Sequence, residues 1–152
     1  MPRCKILLLV LVLLASRISL AQNSDSLQLA RAAESFLKAF TSFDWETFRN
    51  AYSKEATMFF PIWDHRERKT GKAELEAAWL HVFPEFIDTA NRFDFRIEPQ
   101  NLLIQAYNNT GIVTFQFGDE EYLSRRTLVF VKEGGEWKIV HMHASGVKKP
   151  AN

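Results

Sequence analysis

Apolar residues recur at three- and four-residue intervals through the first half of the chain and at two-residue intervals through most of the second, and this change of period divides the elements. From Ser26 to Phe43, residues Leu29, Ala33, Phe36, Leu37 and Phe40 fall on one helical stripe. Asp44 can cap a second, shorter helix carrying Trp45, Phe48 and Tyr52. A β-rich run from Ala56 to Phe60 stops at Pro61, which cannot donate to a sheet ladder, and the polar segment Ile62 to Lys69 reads as a loop. Thr70 or Gly71 opens a third helix with Leu75, Ala78, Trp79, Val82, Phe83 and Phe86 on its stripe, and Pro84 kinks or ends its last turn. Phe93, Phe95 and Ile97 then alternate with Asp94, Arg96 and Glu98, and after Pro99 the strand pattern resumes over Leu102 to Ala106. Turns at 108–111, 118–121 and 133–136 separate three further strands over 112–117, 122–131 and 137–145. Helices segregated from a run of antiparallel strands predict an α+β domain.

The first 21 residues stand apart. Arg3 and Lys5 precede an apolar run from Ile6 to Ala15, and Ser19-Leu20-Ala21 offers the small residues that signal peptidase reads. The run is about half the roughly 20 residues a membrane-crossing helix needs, so cleavage near Ala21 and a secreted or periplasmic product are expected, without a stable membrane anchor. The expected organisation is a signal peptide over 1–21, one domain over 22–147 and a tail over 148–152. The whole chain, 152 residues, carries a formal charge of +1; removing Arg3, Lys5 and Arg17 leaves 16 bases against 18 acids, a charge of −2. No basic run exists, which argues against nucleic acid as a partner. Cys4 is the sole cysteine, so the domain has no disulfide and depends on burial.

The element order, with Phe40-Thr41-Ser42-Phe43-Asp44-Trp45-Glu46, Tyr52 to Met58, Gly71-Lys72 ahead of the Trp79 helix, and above all the last strand Trp137 to Gly146, resembles the nuclear transport factor 2-like superfamily. That ending is similar to the association domain of calcium/calmodulin-dependent protein kinase II and to its SnoaL-like relatives. The resemblance implies a cone, a curved antiparallel sheet wrapped over about three N-terminal helices, with an apolar pocket inside and frequent pairing of two copies. It implies no single activity, because the superfamily includes isomerases, hydrolases, cyclases and non-catalytic modules.

Tyr52, Phe60, Trp63, Trp79, Phe115 and Phe117 lie where the resembled fold faces its cavity, and they would supply an apolar, planar site for a small organic ligand. Arg125 and Arg126 are adjacent on a strand, so one faces the cavity; Arg126 there would clamp a carboxylate, as arginines do in the association domain resembled. Leu128 and Ala144 stand where that comparison expects further basic residues. His141 and His143 sit two apart on one strand face, and His143 is placed among the ligand-binding residues. With Asp64, His65 or His81 the pair could in principle ligate a metal, but no spacing brings these together and no metal is expected. Asp64 and His65, beside Trp63, are the catalytic candidates, as base and partner at the pocket mouth.

Two functions compete. The favoured one is a secreted or periplasmic binding and oligomerisation module with an apolar pocket, whose partners are a second copy of the chain and a small organic ligand, carboxylates among them. The alternative is a SnoaL-like or ketosteroid-isomerase-like enzyme without a cofactor. An acid or histidine buried in the cavity beside Arg126 would favour the second. Neither calls for a cofactor.

Overall fold

The computed structural model describes residues 24–94 and 96–150, with only the backbone of Trp63. The described residues form three α-helices and a six-stranded sheet. Helix α1 spans 24–41, α2 is Trp45–Asn50 and α3 is Lys72–Val82; the strands are β1 Tyr52–Phe59, β2 Lys69–Thr70, β3 Gln100–Tyr107, β4 Thr110–Gly118, β5 Tyr122–Glu133 and β6 Glu136–Lys148. Their order across the sheet is β2-β1-β6-β5-β4-β3. All neighbours are antiparallel except β1 and β6, which run parallel, so the first long strand of the chain lies beside the last.

The helical stripe of α1 is buried as its period requires: Leu29, Ala33, Phe36 and Phe40 are all at most 5% exposed. Its C-terminus closes in a Schellman arrangement, with Asp44 N–H donating to Ala39 O at 2.9 Å and Phe43 N–H to Phe40 O at 3.3 Å. The left-handed position falls on Phe43 (φ 52°) where glycine is usual, and its ring stays 2% exposed in the core. Asp44 then caps α2 by accepting from Thr47 N–H. The guanidinium of Arg49 grips both carboxylate oxygens of Glu76, at 2.9 and 3.2 Å, and ties α2 to α3. Between these helices and the sheet Phe48 stacks on Phe36 at 5.0 Å and meets Trp79 edge-on at 5.0 Å.

Gly111, on β4, sits where α1 crosses the sheet; a Cβ there would overlap the side chain of Leu29. The Gly134-Gly135 turn between β5 and β6 is left-handed at both residues (φ 58° and 90°), the geometry that matches the twist of a two-residue hairpin.

The alternation over Phe93 to Glu98 does not make a strand. Residues 92–94 and 96–99 carry no ladder, and pairing begins only at Gln100. The cause is local: the Arg92 guanidinium donates to the carbonyls of Phe43 and Glu85 at 3.0 Å each, and the Phe93 ring packs on Phe43 at 5.6 Å. Those contacts hold the segment against the helix ends, and Pro99 lacks the donor a ladder would use. Within the expected loop, Trp63–His65 forms a single 3₁₀ turn; the loop's last residue, Lys69, pairs with β1 together with Thr70, so α3 opens after Gly71 and not at Thr70.

Candidate functional site

The inner surface of the sheet does not close fully on the helices. An apolar cavity of about 210 Å³ remains where α1, the last turn of α3, the end of β1 and the ends of β4, β5 and β6 converge. Phe40 comes from α1, Trp79 and Val82 from α3, and Phe83 follows directly. Met58, Phe60, Pro61 and Ile62 bring the end of β1 and its exit; Phe117, Arg126 and Ala144 come from the sheet.

Among the described residues of this wall Arg126 alone is charged. It is partly buried, its guanidinium carbon lies 4.8 Å from the centroid of the Phe117 ring, and its Nη1 donates to the carbonyl of Arg125 at 2.9 Å. Burial holds its pKa down to about 10, opposed by the Tyr52 hydroxyl, so it stays a cation at neutral pH. Among the described residues no carboxylate forms a salt bridge with it. A cation over an aromatic face, with unused donors in a planar fork, is equipped for a small anion.

Of the residues singled out from sequence, Phe60, Trp79, Phe117 and Arg126 meet in this wall. Phe115 and Tyr52 lie behind it in the core. Phe115 stacks on Phe117 at 6.2 Å, and the Tyr52 hydroxyl reaches Met142 Sδ at 3.4 Å. Burial pushes the Tyr52 phenol pKa up, opposed in part by the Trp79 indole N–H and by Arg126. Among the described residues that indole N–H makes no hydrogen bond of good geometry. The Trp63 side chain lies outside the described residues.

Asp64, His65 and His143 do not join them. Asp64 is exposed, and the 3₁₀ turn carries His65 toward α3, where its ring sits 5.0 Å from that of His81 and 5.7 Å from that of Phe60. His65 borders a separate open cleft with Lys69, Glu74 and His81. Among the described residues neither of its buried ring nitrogens has a hydrogen-bond partner; burial, Lys69 and His81 hold its pKa below the usual histidine range, with Asp64 opposing.

His143 is exposed on the outer face of the sheet, 5.9 Å from the ring of Phe59. The reason is a break in alternation. Trp137 and Ile139 point inward, but the register shifts opposite Val129 and Phe130, so the inward residues beyond it are Met142 and Ala144. His141, also turned outward, has its Nδ1 2.8 Å from Thr57 Oγ1. Among the described residues no group of three or more His, Cys, Asp or Glu is placed to hold a metal.

A larger trough of about 820 Å³ lies outside the cone between α1, α2 and the β5–β6 turn. It is open, with Arg31, Glu46, Asn50 and Lys138 along it, and lacks the enclosure that selects a ligand. Among the described residues no helix is long and apolar enough to cross a membrane.

A family model described as a SnoaL-like domain matches residues 29–149. No curated protein matches. Among solved structures, a proposed dehydratase of the nuclear transport factor 2-like family from Streptomyces avermitilis is 20% identical; the match covers 82% of this chain and 97% of that one, with a TM-score of 0.66. A ketosteroid isomerase-like protein from Erwinia carotovora atroseptica is 19% identical over 84% of this chain and 99% of that one, with a TM-score of 0.64. A proposed calcium/calmodulin-dependent protein kinase type II association domain from Thiobacillus denitrificans is 22% identical over 76% and 92%, with a TM-score of 0.57. At these identities the likenesses show the fold.

Proposed function

Because the chain belongs to the SnoaL-like family, built on the nuclear transport factor 2-like cone, we propose that it is a non-catalytic binding module whose cavity holds a small apolar anion, a carboxylate first of all, against Arg126. The observation that carries this reading is the composition of the wall: a partly buried guanidinium without a carboxylate partner among the described residues, set in an otherwise apolar cavity. A ligand carboxylate would supply the two oxygens the planar fork fits, while its apolar body displaced water from Phe60, Trp79 and Phe117. The volume, about 210 Å³, is below the roughly 300–1,000 Å³ of drug-sized sites and selects a single ring or short chain.

An isomerase or cyclase working without a cofactor needs a base within hydrogen-bond reach of the reacting proton. None of the described residues lining this cavity is a carboxylate or a histidine. Asp64, His65 and His143 all lie elsewhere, so the geometry supports binding better than proton transfer.

The reading includes export directed by residues 1–21, to the periplasm or outside the cell, and self-association. The N-terminal charge and apolar pattern supports the first, and the association-domain-like neighbour supports the second. Native mass spectrometry of the purified protein, compared with its denatured mass, tests the core of it. A retained organic mass, lost in Arg126→Met, is the expected result; an equal retained mass in both proteins would overturn the assignment of Arg126.

A further inference from the structure

Buried polar groups in a folded protein are almost always hydrogen-bonded, because a donor taken out of water without an acceptor is costly. The indole N–H of Trp79 departs from that rule. Trp79 is 4% exposed, stands in the wall of the apolar cavity, and its Nε1 has no hydrogen-bond partner among the described residues. An indole nitrogen only donates, so what it lacks is an acceptor. Packing alone does not call for the nitrogen: the ring meets Phe40 at 5.3 Å and Phe48 and Phe60 at 5.0 Å each, edge to face, contacts that need a ring and no polar atom.

The polar groups around it are donors as well. The Tyr52 hydroxyl donates to Met142 Sδ at 3.4 Å, a weak acceptor. Burial raises the Tyr52 phenol pKa, and the Trp79 N–H and then Arg126 act to lower it, which places both donors toward that hydroxyl. Among the described residues no carboxylate forms a salt bridge with Arg126. The rest of the described wall is apolar. Its inner part, Met58, Trp79 and Ala144, is at most 4% exposed, whereas Pro61 and Ile62 are exposed and form the rim.

We propose that Trp79 is a second donor to the acid group of the ligand: one carboxylate oxygen accepts from its indole N–H and the other from Arg126, so that the ligand lies with its charged end against the inner wall and its apolar body toward Pro61 and Ile62. This deepens the binding reading above and rests on it. An unpaired donor and an unpaired cation in one wall are each costly alone, and a single anion with two oxygens answers both. The arrangement also narrows the ligand to a monocarboxylate with an apolar body. A second charge held inside the cavity would face only apolar side chains among the described residues.

The test is a proton–nitrogen NMR titration of the indole signals with phenylacetate and with phenylacetamide, beside calorimetry of Trp79→Phe, which keeps a ring and removes the N–H. The Trp79 indole proton is assigned by its absence from the variant's spectrum or, in wild type, by its through-space contacts with the Phe40 and Phe60 rings. It should move downfield with phenylacetate and less with phenylacetamide. Trp79→Phe should weaken phenylacetate roughly tenfold and phenylacetamide by less, the signature of a lost hydrogen bond to a charged group. A Trp79 signal that stays in place while phenylacetate binds, or equal losses for the two compounds in the variant, would overturn the proposal and leave Arg126 in its role. Wild type that does not prefer phenylacetate, or Arg126→Met that binds it as wild type does, would overturn the binding reading and this inference with it. If Trp79→Phe does not fold, the wild-type indole signal decides alone.

Discussion

At the scale of single residues, environment decides which of the ionisable groups can act. Arg126 and Arg125 are neighbours in sequence, but strand alternation turns Arg126 to the cavity and leaves Arg125 exposed. His65 shows the converse. Its folded pKa lies below the ordinary 6.5, chiefly through burial, so the unfolded chain takes up that proton more readily than the folded one. Stability should therefore fall as the pH drops below about 6.5. Thermal melts of wild type and His65→Phe between pH 7 and 5 check this: the variant should lose part of the slope, His141 accounting for more in the same direction, and an identical slope would exclude His65 as a source. The single-residue readings that sequence supplied for Asp64 and His65 rested on nearness to Trp63 along the chain, and one 3₁₀ turn is enough to send His65 to α3 instead.

At the scale of elements, period and turn chemistry were legible where local and tertiary preferences agree. The stripes of α1 and α3, the Asp44 cap and the Gly134-Gly135 hairpin are all of this kind. Two failures have physical causes outside local sequence. The alternation at Phe93 to Glu98 is strand-like, but Arg92 anchors that segment to helix-end carbonyls. On β6 the inward parity read from Trp137 and Ile139 would place His141 and His143 inside; the bulge reverses it, and only the apolar character of Met142 and Ala144 hints at the change. The seating of α1 on β4 depends on the missing side chain at Gly111. Gly111→Val should destabilise by about 1–3 kcal/mol, measured by urea unfolding, because Leu29 must leave its place; an unchanged midpoint would mean that α1 is not held there.

At the scale of the whole molecule, the cone was legible from element order and from the Trp137 to Gly146 ending, whereas its cavity was only partly so. Phe40, Val82 and Phe83 read from sequence as core, and they line the cavity. Tyr52 and Phe115 read as pocket, and they are core. Apolar side chains fill both roles with the same pattern, so sequence separates buried from exposed but not packed from unfilled. Charge narrows the choice further, since alternation sends one of Arg125 and Arg126 inward, but which of the two enters the cavity is set by the register of β5 rather than by local sequence.

The role proposed for Arg126 is to make an apolar cavity selective for a carboxylate. Its most direct test is calorimetric titration of wild type and Arg126→Met with phenylacetate and with phenylacetamide, which share a shape and differ in charge. Wild type should prefer the carboxylate, with affinity level from about pH 6 to 8, where the guanidinium keeps its charge. Arg126→Met should weaken the carboxylate roughly 10–100-fold, the worth of a charge-assisted hydrogen bond, and leave the amide nearly unchanged. Equal affinity of wild type for the two compounds, or a carboxylate affinity untouched by Arg126→Met, would contradict it.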